Sequence, residues 1–423
     1  MLSLYHQLKE NRTKNPIYIL LKRIYFSIND FGETIFLFFY SWFYRYKKVE
    51  SGVNIIGFAK GDFGIAEHIR LVTHAIHSTE IEFCVNNAGK SGKHSDSNQE
   101  LKPFIIRKNP FLINLFCYNA DKILAYRNSY KGTVMERSHY NIGYGYWELS
   151  EYPIHWREQN KCLQELWAPS RFVKEVLERS THLPVYYMPI PVDFIDPVGY
   201  SKRHFNLPED CFLYLFTFDL SSFESRKNPD AVIGAFSNAF PVEKKDKVCL
   251  VLKINSIHTQ PEHIKKIKEL KESVQFDSRI ILIDETLDRT SILGLIQTCD
   301  VYVSLHRSEG FGLGMAEAMK MGKVVIATHY SGNKDFMNEE NSCPVKYSLV
   351  KVKQSDYCHV VEGAEWAEPD IAHAAYYMRK VYEDQAFSQK TGLAAKSYIE
   401  QHHSFNVIGK NYERRLSEIL KGN

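Results

Sequence analysis

The chain has 423 residues, 44% hydrophobic, 24% charged and 13% aromatic, which is the texture of a folded protein of two or three domains and excludes a disordered or fibrous one. Its 53 Lys and Arg against 50 Asp and Glu leave a net charge of +3, giving no concentrated basic face for a nucleic acid. The 8 cysteines are scattered without a C-x-x-C or a ligand-spaced histidine, several inside apolar runs such as Cys249 in KVCLVLKI, which argues for a reducing compartment and against disulfides or structural zinc.

Residues 1–50 form an N-terminal apolar and aromatic segment. Met1 to Asn15 is polar, and no small-residue cleavage site follows a clean apolar core, so a cleavable signal is not expected. Ile17 to Tyr46 holds IYILL and IFLFFYSWFY, interrupted by Lys22, Arg23, Asp30 and Glu33. The run from Ile35 to Tyr44 is too short for a bilayer, which needs about 20 apolar residues. Its aromatics followed by Arg45, Lys47 and Lys48 suit a segment lying on anionic lipid. The alternative is a pair of helices packed on the first domain or on a second subunit. The expected location is the cytoplasm, at the inner face of the cytoplasmic membrane if this segment meets lipid.

From Val53 the pattern alternates between strands and helices, giving a first α/β domain over residues 51–195. VNIIGF ends in the glycine-containing turn AKGDFG, and IAEHIRLVTHAI comes next at helical spacing. IEFCV, KILAY, NIGYGYW, ELWAP and VYYMP are strand candidates, with a helix at RFVKEVLERS. Asn86 to Gln99 reads as a loop. MPIPVDFIDPVGYSKRHFNLP, with four prolines and no sustained period, reads as an interdomain linker.

A second α/β domain occupies 196–395. Its strand candidates are FLYLFTF, KVCLVLKI, RIILID, CDVYVSL and KVVIAT, separated by helices near 229–240, 262–272 and 290–298. Continuous apolar strands between helices imply a parallel sheet covered on both faces. Residues 396–423 read as a helix returning to the first domain. Two doubly wound domains place a ligand in the cleft between them, at the carboxyl ends of their strands.

The most informative stretch is SLHRSEGFGLGMAEAMKMGKVVIAT, from Ser304 to Thr328. A strand runs into a turn with Gly310, Gly312 and Gly314, and a helix begins near Leu313. Glycines let the backbone approach a ligand, and free amides at a helix N-terminus favour an anion such as a diphosphate. Glu309 before the turn and Glu317 after it can accept hydrogen bonds from hydroxyls at opposite ends of one ligand. Taken alone, Glu317 is equally a helix-dipole partner. His306 reads as support for the loop. There is no D-x-D carboxylate pair to hold a metal, no P-loop at Gly89 to Ser91, and no G-x-S-x-G nucleophile elbow.

This string resembles the retaining glycosyltransferases of family 4, which have the GT-B fold and carry E-x7-E in a glycine-rich setting. The resemblance implies that Glu309 contacts hydroxyls of the transferred sugar and Glu317 the ribose. It implies that amides from Gly310, Phe311, Gly312, Leu313 and Gly314 serve the sugar and phosphates. In FDLSSFESRKNPDAVIGAF, Arg226 and Lys227 stand where similar enzymes hold a basic pair on the donor diphosphate. Asp219 stands near the usual arginine position and Asn228-Pro229 replaces a glycine, so Lys227 is the better match; the plainer reading is a surface pair capping a helix at Pro229. GDFGIAEHIR is similar to the glycine loop that abuts the phosphates, with Gly61 and Gly64. His139, before a strand of the acceptor-facing domain, matches a histidine that such enzymes often place near the sugar; a structural histidine is the alternative. The resemblance covers roughly residues 53–345.

The activity implied by the resemblance is transfer of a hexose-type residue from a UDP- or GDP-sugar to a saccharide or lipid-linked saccharide hydroxyl, with retention and without a metal or other cofactor. Lys227 and the helix amides would stand in for the metal, and cations that meet the growing charge of the leaving group lower the barrier. The rivals are a GT-B epimerase or phosphorylase, and a non-catalytic membrane-associated scaffold with a glycosyltransferase shell.

Overall fold

The computed structural model describes residues 49–61, 63–87, 97–106, 108–119, 123, 139–153, 156, 160–255 and 260–422. The apolar segment at 17–46, with the membrane contact expected of it, lies outside the described residues, as do most of KILAY and most of the Asn86 to Gln99 loop. No described helix is long and apolar enough to cross a membrane.

Among the described residues, the first domain is a six-stranded parallel sheet. Its elements are β1 (Glu50–Gly57), α1 (Gly64–His77), β2 (Phe83–Asn87), β3 (Phe111–Phe116), β4 (Tyr140–Tyr144), β5 (Glu165–Ala168), α2 (Arg171–Glu178) and β6 (Val185–Tyr187). The strand order is β2-β1-β3-β4-β5-β6, so the direction of winding reverses between β1 and β3. Helix α1 buries Ala66, Ile69, Val72, Ala75 and Ile76, which recur at three- and four-residue spacing and so form one face.

Strand β3 is absent from the sequence expectations. Its FLINLF carries Asn114 at its centre, a residue depleted in strands. The structure resolves the conflict with a polar ladder inside the sheet. Asn54 Nδ2 donates to Asn114 Oδ1 (2.9 Å), and Asn114 Nδ2 donates to Asn141 Oδ1 (2.9 Å), on three adjacent strands. A buried amide is tolerated because its partners are built in.

The second domain contains β7 (Phe212–Asp219), the single turn α3 (Glu224–Lys227), α4 (Pro229–Ala239), β8 (Val248–Asn255), α5 (Pro261–Val274), β9 (Ile280–Ile283) and α6 (Arg289–Thr298). It continues with β10 (Val301–Ser304), α7 (Leu313–Lys320), β11 (Val324–Thr328) and β12 (Cys343–Val345). The order β12-β11-β10-β7-β8-β9 is the doubly wound one, with its switch point between β7 and β10. Strand β8 is buried along all but its last residue, as a central parallel strand should be. An antiparallel hairpin, β13 (Tyr347–Lys351) and β14 (Glu365–Pro369), then precedes α8 (Ile371–Glu383), α9 (Gln385–His403) and α10 (Phe405–Gly422).

The chain crosses between domains twice, side by side. In the linker, Val192 N donates to His403 O (2.7 Å), and Phe405 N donates to Asp193 Oδ2 (3.2 Å). Helix α9 is continuous to His403, so the return to the first domain begins at Ser404 rather than at 396. Helix α10 then docks on the first sheet. Tyr412 lies 3.0 Å from the Tyr144 hydroxyl and donates to Pro189 O (2.9 Å), and Arg415 pairs with buried Glu165 (2.5 Å).

Candidate functional site: a carboxylate and two cations at the switch point

The loops after β7 and β10 leave the carboxyl edge of the sheet at the switch point, and each delivers part of one cluster. Arg226 and Lys227 close the turn α3 after β7, while Glu309 comes after β10. Lys227 Nζ is 2.5 Å from Glu309 Oε1, and Arg226 Nη1 is 3.0 Å from the same oxygen. Burial alone would raise the pKa of Glu309, but Arg226 and Lys227 together hold it down at about 2. The two cations are not equivalent. Arg226 is buried and fixed, also donating to Ser308 O (2.8 Å) and lying 3.9 Å from Glu148. Lys227 is the more exposed, a flexible ammonium that can reach an anion in the cleft. Asp219, near the usual arginine position, instead caps the turn: it accepts from Ser221 N (2.6 Å) and from Asn255 Nδ2 (2.7 Å).

The glycine-rich turn comes directly afterwards. Gly312 caps α7 with φ +101°, a left-handed conformation that a side chain resists. Gly332 donates its amide to Glu309 O (2.9 Å), and a Cβ there would lie 2.5 Å from Gly310 O, so only glycine admits this approach. Met315 N and Ala316 N donate to Gly312 O (3.1 and 3.2 Å), which leaves the Leu313 and Gly314 amides at the start of α7 to favour an anion. The Phe311 ring is buried against Phe336 and His403 (centroids 5.1 and 5.8 Å), so only its backbone serves the turn. His306 is buried beneath the loop, bonded to Ser304 Oγ (3.0 Å) and Asn333 Oδ1 (3.2 Å).

Glu317, in the first turns of α7, is buried and meets Arg289 Nη2 at 2.5 Å. Burial raises the Glu317 pKa; Arg289 works against that rise. The same guanidinium reaches across to the first domain, with Nε 3.2 Å from Glu67 on α1. Glu67 in turn pairs with Arg70 (2.8 Å), and Arg70 donates to Gly61 O (2.8 Å). A chain of alternating charges thus runs from the second domain's helix to the first domain's glycine turn. Gly61 lies in that turn and Gly64 opens α1, where its Cα faces open space.

Glu309, Lys227, Arg226, Glu317 and the turn from Gly310 to Gly314 are therefore brought to one edge, facing the Gly61 to Gly64 turn. His139 is not. It precedes β4 at the amino edge of the sheet, opposite the cleft, and its Nε2 bonds to Asn109 O (3.2 Å). A parallel strand sends its carboxyl end to the ligand side, so a residue ahead of the strand faces away.

Three further groups at the cleft escape sequence reasoning. Arg289 and Glu67 sit at ordinary helix positions, and only the meeting of α1 with α6 reveals them. Glu148 lies beyond β4 and accepts from the Tyr357 hydroxyl (2.7 Å). Tyr357 belongs to the connection between β13 and β14, 209 positions away, which packs on Trp147 of the first domain (centroids 6.0 Å).

Two doubly wound domains with their carboxyl edges turned to one cleft define the GT-B fold. The chain resembles solved GT-B structures over nearly its whole length: sucrose-phosphate synthase from Thermosynechococcus elongatus (TM-score 0.66, 13% identity) and a glycosyltransferase from Rickettsia africae (TM-score 0.61, 16% identity), each covering 88% of this chain and 100% of the other. The Anabaena protein HepE, solved with UDP and glucose, superposes with a TM-score of 0.61 at 12% identity, covering 87% of this chain and 100% of its own. At the level of sequence, residues 212–397, in the second domain, match the model of glycosyl transferases group 1. The serotype-specific mannosyltransferase WbdA of Escherichia coli is 27% identical over 141 residues, a match that covers 33% of this chain and 16% of that protein.

Proposed function

We propose that the protein is a retaining glycosyltransferase that moves a hexosyl group from a nucleoside-diphosphate sugar to a saccharide hydroxyl. The observation that carries this is the Glu309–Lys227–Arg226 cluster at the switch point, beside the free amides of α7. An ionised carboxylate binds hydroxyls of the transferred sugar, and a mobile ammonium and helix amides receive the diphosphate. The solved HepE complexes, with UDP and glucose and with UDP-glucose, and the curated mannosyltransferase support a nucleotide-sugar donor.

In the proposed step the anomeric carbon–oxygen bond to the diphosphate breaks and a bond to the acceptor oxygen forms on the same face. The acceptor's proton passes to the departing phosphate oxygen, so no protein nucleophile is required. Lys227 and the α7 amides stabilise the negative charge that grows on that phosphate. This division of labour supports metal independence, and EDTA is expected to leave the rate unchanged. Arg226 keeps Glu309 ionised and in place. Glu317, freed from Arg289, takes the ribose hydroxyls.

The test is a transfer assay on Glu309→Ala and Lys227→Ala. Each is expected to lower kcat/KM by about 100-fold or more, the scale of a lost charge-stabilising contact. Full activity in both would remove the site. Running the assay without acceptor separates this reading from an epimerase, which would release nucleotide regardless.

A further inference from the structure

Phe223 caps α3 with a strained backbone, its carbonyl accepting from Arg226 N (3.0 Å) and Lys227 N (3.2 Å). It stands between β7 and α3 with φ 62° and ψ 103°, a conformation that a bulky residue avoids. The residue is nevertheless 37% exposed. A large apolar side chain held in a strained conformation and left partly in water gains little by packing, and such strain persists where the surroundings impose it for function. The surroundings here are specific. The Phe223 ring lies 4.5 Å, centroid to centroid, from Tyr357, whose hydroxyl donates to Glu148 (2.7 Å). Glu148 is 3.9 Å from Arg226, which holds Glu309. These groups form a row leading from the sugar end of the donor site toward solvent, crossing from one domain to the other.

Resting on the donor-site reading above, we propose that Phe223 is the floor of an acceptor-saccharide subsite, with Glu148 as its polar wall. A pyranose has one face of axial C–H bonds that lies well on an aromatic ring, and a rim of hydroxyl donors. A carboxylate can only accept, and so selects those hydroxyls. Tyr357 orients Glu148 from the hairpin side through Oε2, and Oε1, 3.9 Å from Arg226, is the oxygen that would meet the ligand. The strained turn lifts the Phe223 ring into the path while α3, one residue later, keeps Lys227 on the donor.

The probes are octyl α-mannoside and octyl β-glucoside as acceptors, with the donor chosen as the nucleotide sugar giving the largest thermal shift. Phe223→Gly is expected to raise the acceptor KM at least tenfold, change donor affinity less than twofold, and leave Tm no lower, because glycine relieves the positive φ. Phe223→Trp, which keeps an aromatic face, should stay within threefold of wild type in acceptor KM. Glu148→Gln should raise acceptor KM by a larger factor than it changes donor affinity. An unchanged acceptor KM in Phe223→Gly, or a Tm that falls with KM unaltered, overturns the subsite while the transferase reading stands. A wild-type chain that no nucleotide sugar stabilises overturns both.

Discussion

Burial and charge act in opposite directions on the ionisable side chains of the cleft, and the winner differs from residue to residue. At Glu309 the cations win, and the carboxylate stays ionised down to about pH 2. Its folded-state pKa is depressed, so its stabilising contribution is present above its ordinary value of 4.5 and is lost as pH falls toward 2. At His68 on α1 burial wins. The ring packs edge-on against Tyr144 and Tyr146 (4.4 and 4.9 Å), and neither nitrogen meets a partner among the described residues. Its pKa is pushed down from 6.5 to about 3, so the unfolded chain takes up a proton that the native state refuses. The resulting penalty is absent above pH 6.5 and reaches about 2 kcal/mol by pH 5. Tm is expected to fall between pH 6.5 and 4, and His68→Phe should flatten the fall; an unaltered slope would contradict the assignment. Glu309, Glu317 and the glycine turn were legible in the sequence because they sit at fixed spacings on one strand–turn–helix unit, and Lys227 because it follows the first strand of the same domain in a stretch resembling the family's basic pair. His68, Glu148 and Arg289 were not, because each matters only through a neighbour from another part of the chain.

At the scale of elements, the unit β10–turn–α7 is rigid for reasons that can be checked singly. Gly332→Ala would drive a methyl against Gly310 O, and the turn must move to admit it. It is expected to cost about 2 kcal/mol in denaturant unfolding and to weaken nucleotide binding in parallel. Arg289→Ala removes the partner of buried Glu317 and cuts the charge chain to Glu67, with an expected loss of about 2–3 kcal/mol. Most strands and helices could be read from hydrophobic period alone, since both sheets are parallel and their strands are continuous apolar runs. Strand β3 escaped because its central asparagine has partners supplied only by β1 and β4. The connection between β13 and β14 escaped because its Tyr357 and Val352 complete an aromatic cluster in the other domain, and no local pattern announces a distant lid.

The described residues form two doubly wound domains tied by two adjacent crossings and one returning helix. Helix α10 buries Ile408, Tyr412, Leu416 and Ile419 on the first domain, and each such side chain contributes about 1.5–3 kcal/mol. Deleting residues 405–422 is therefore expected to abolish cooperative unfolding, whereas a chain that still melts in one transition would show that α10 is dispensable. The domains meet at the donor turn itself: Ser170 Oγ donates to Gly310 O (2.7 Å), and Arg171 N donates to Asp335 (2.8 Å). In the proposed donor complex a nucleotide would part these contacts and draw Arg289 off Glu317, while the paired crossings stay tied at Val192 and Phe405. In the proposed donor complex a nucleoside diphosphate is held between Lys227, the α7 amides and Glu317. Calorimetric titration of UDP and GDP into wild type and Lys227→Ala is the test of that arrangement. Saturable binding of one of them, weakened at least tenfold by the substitution, is the expected result; no binding of either, or equal affinity in both proteins, would contradict it.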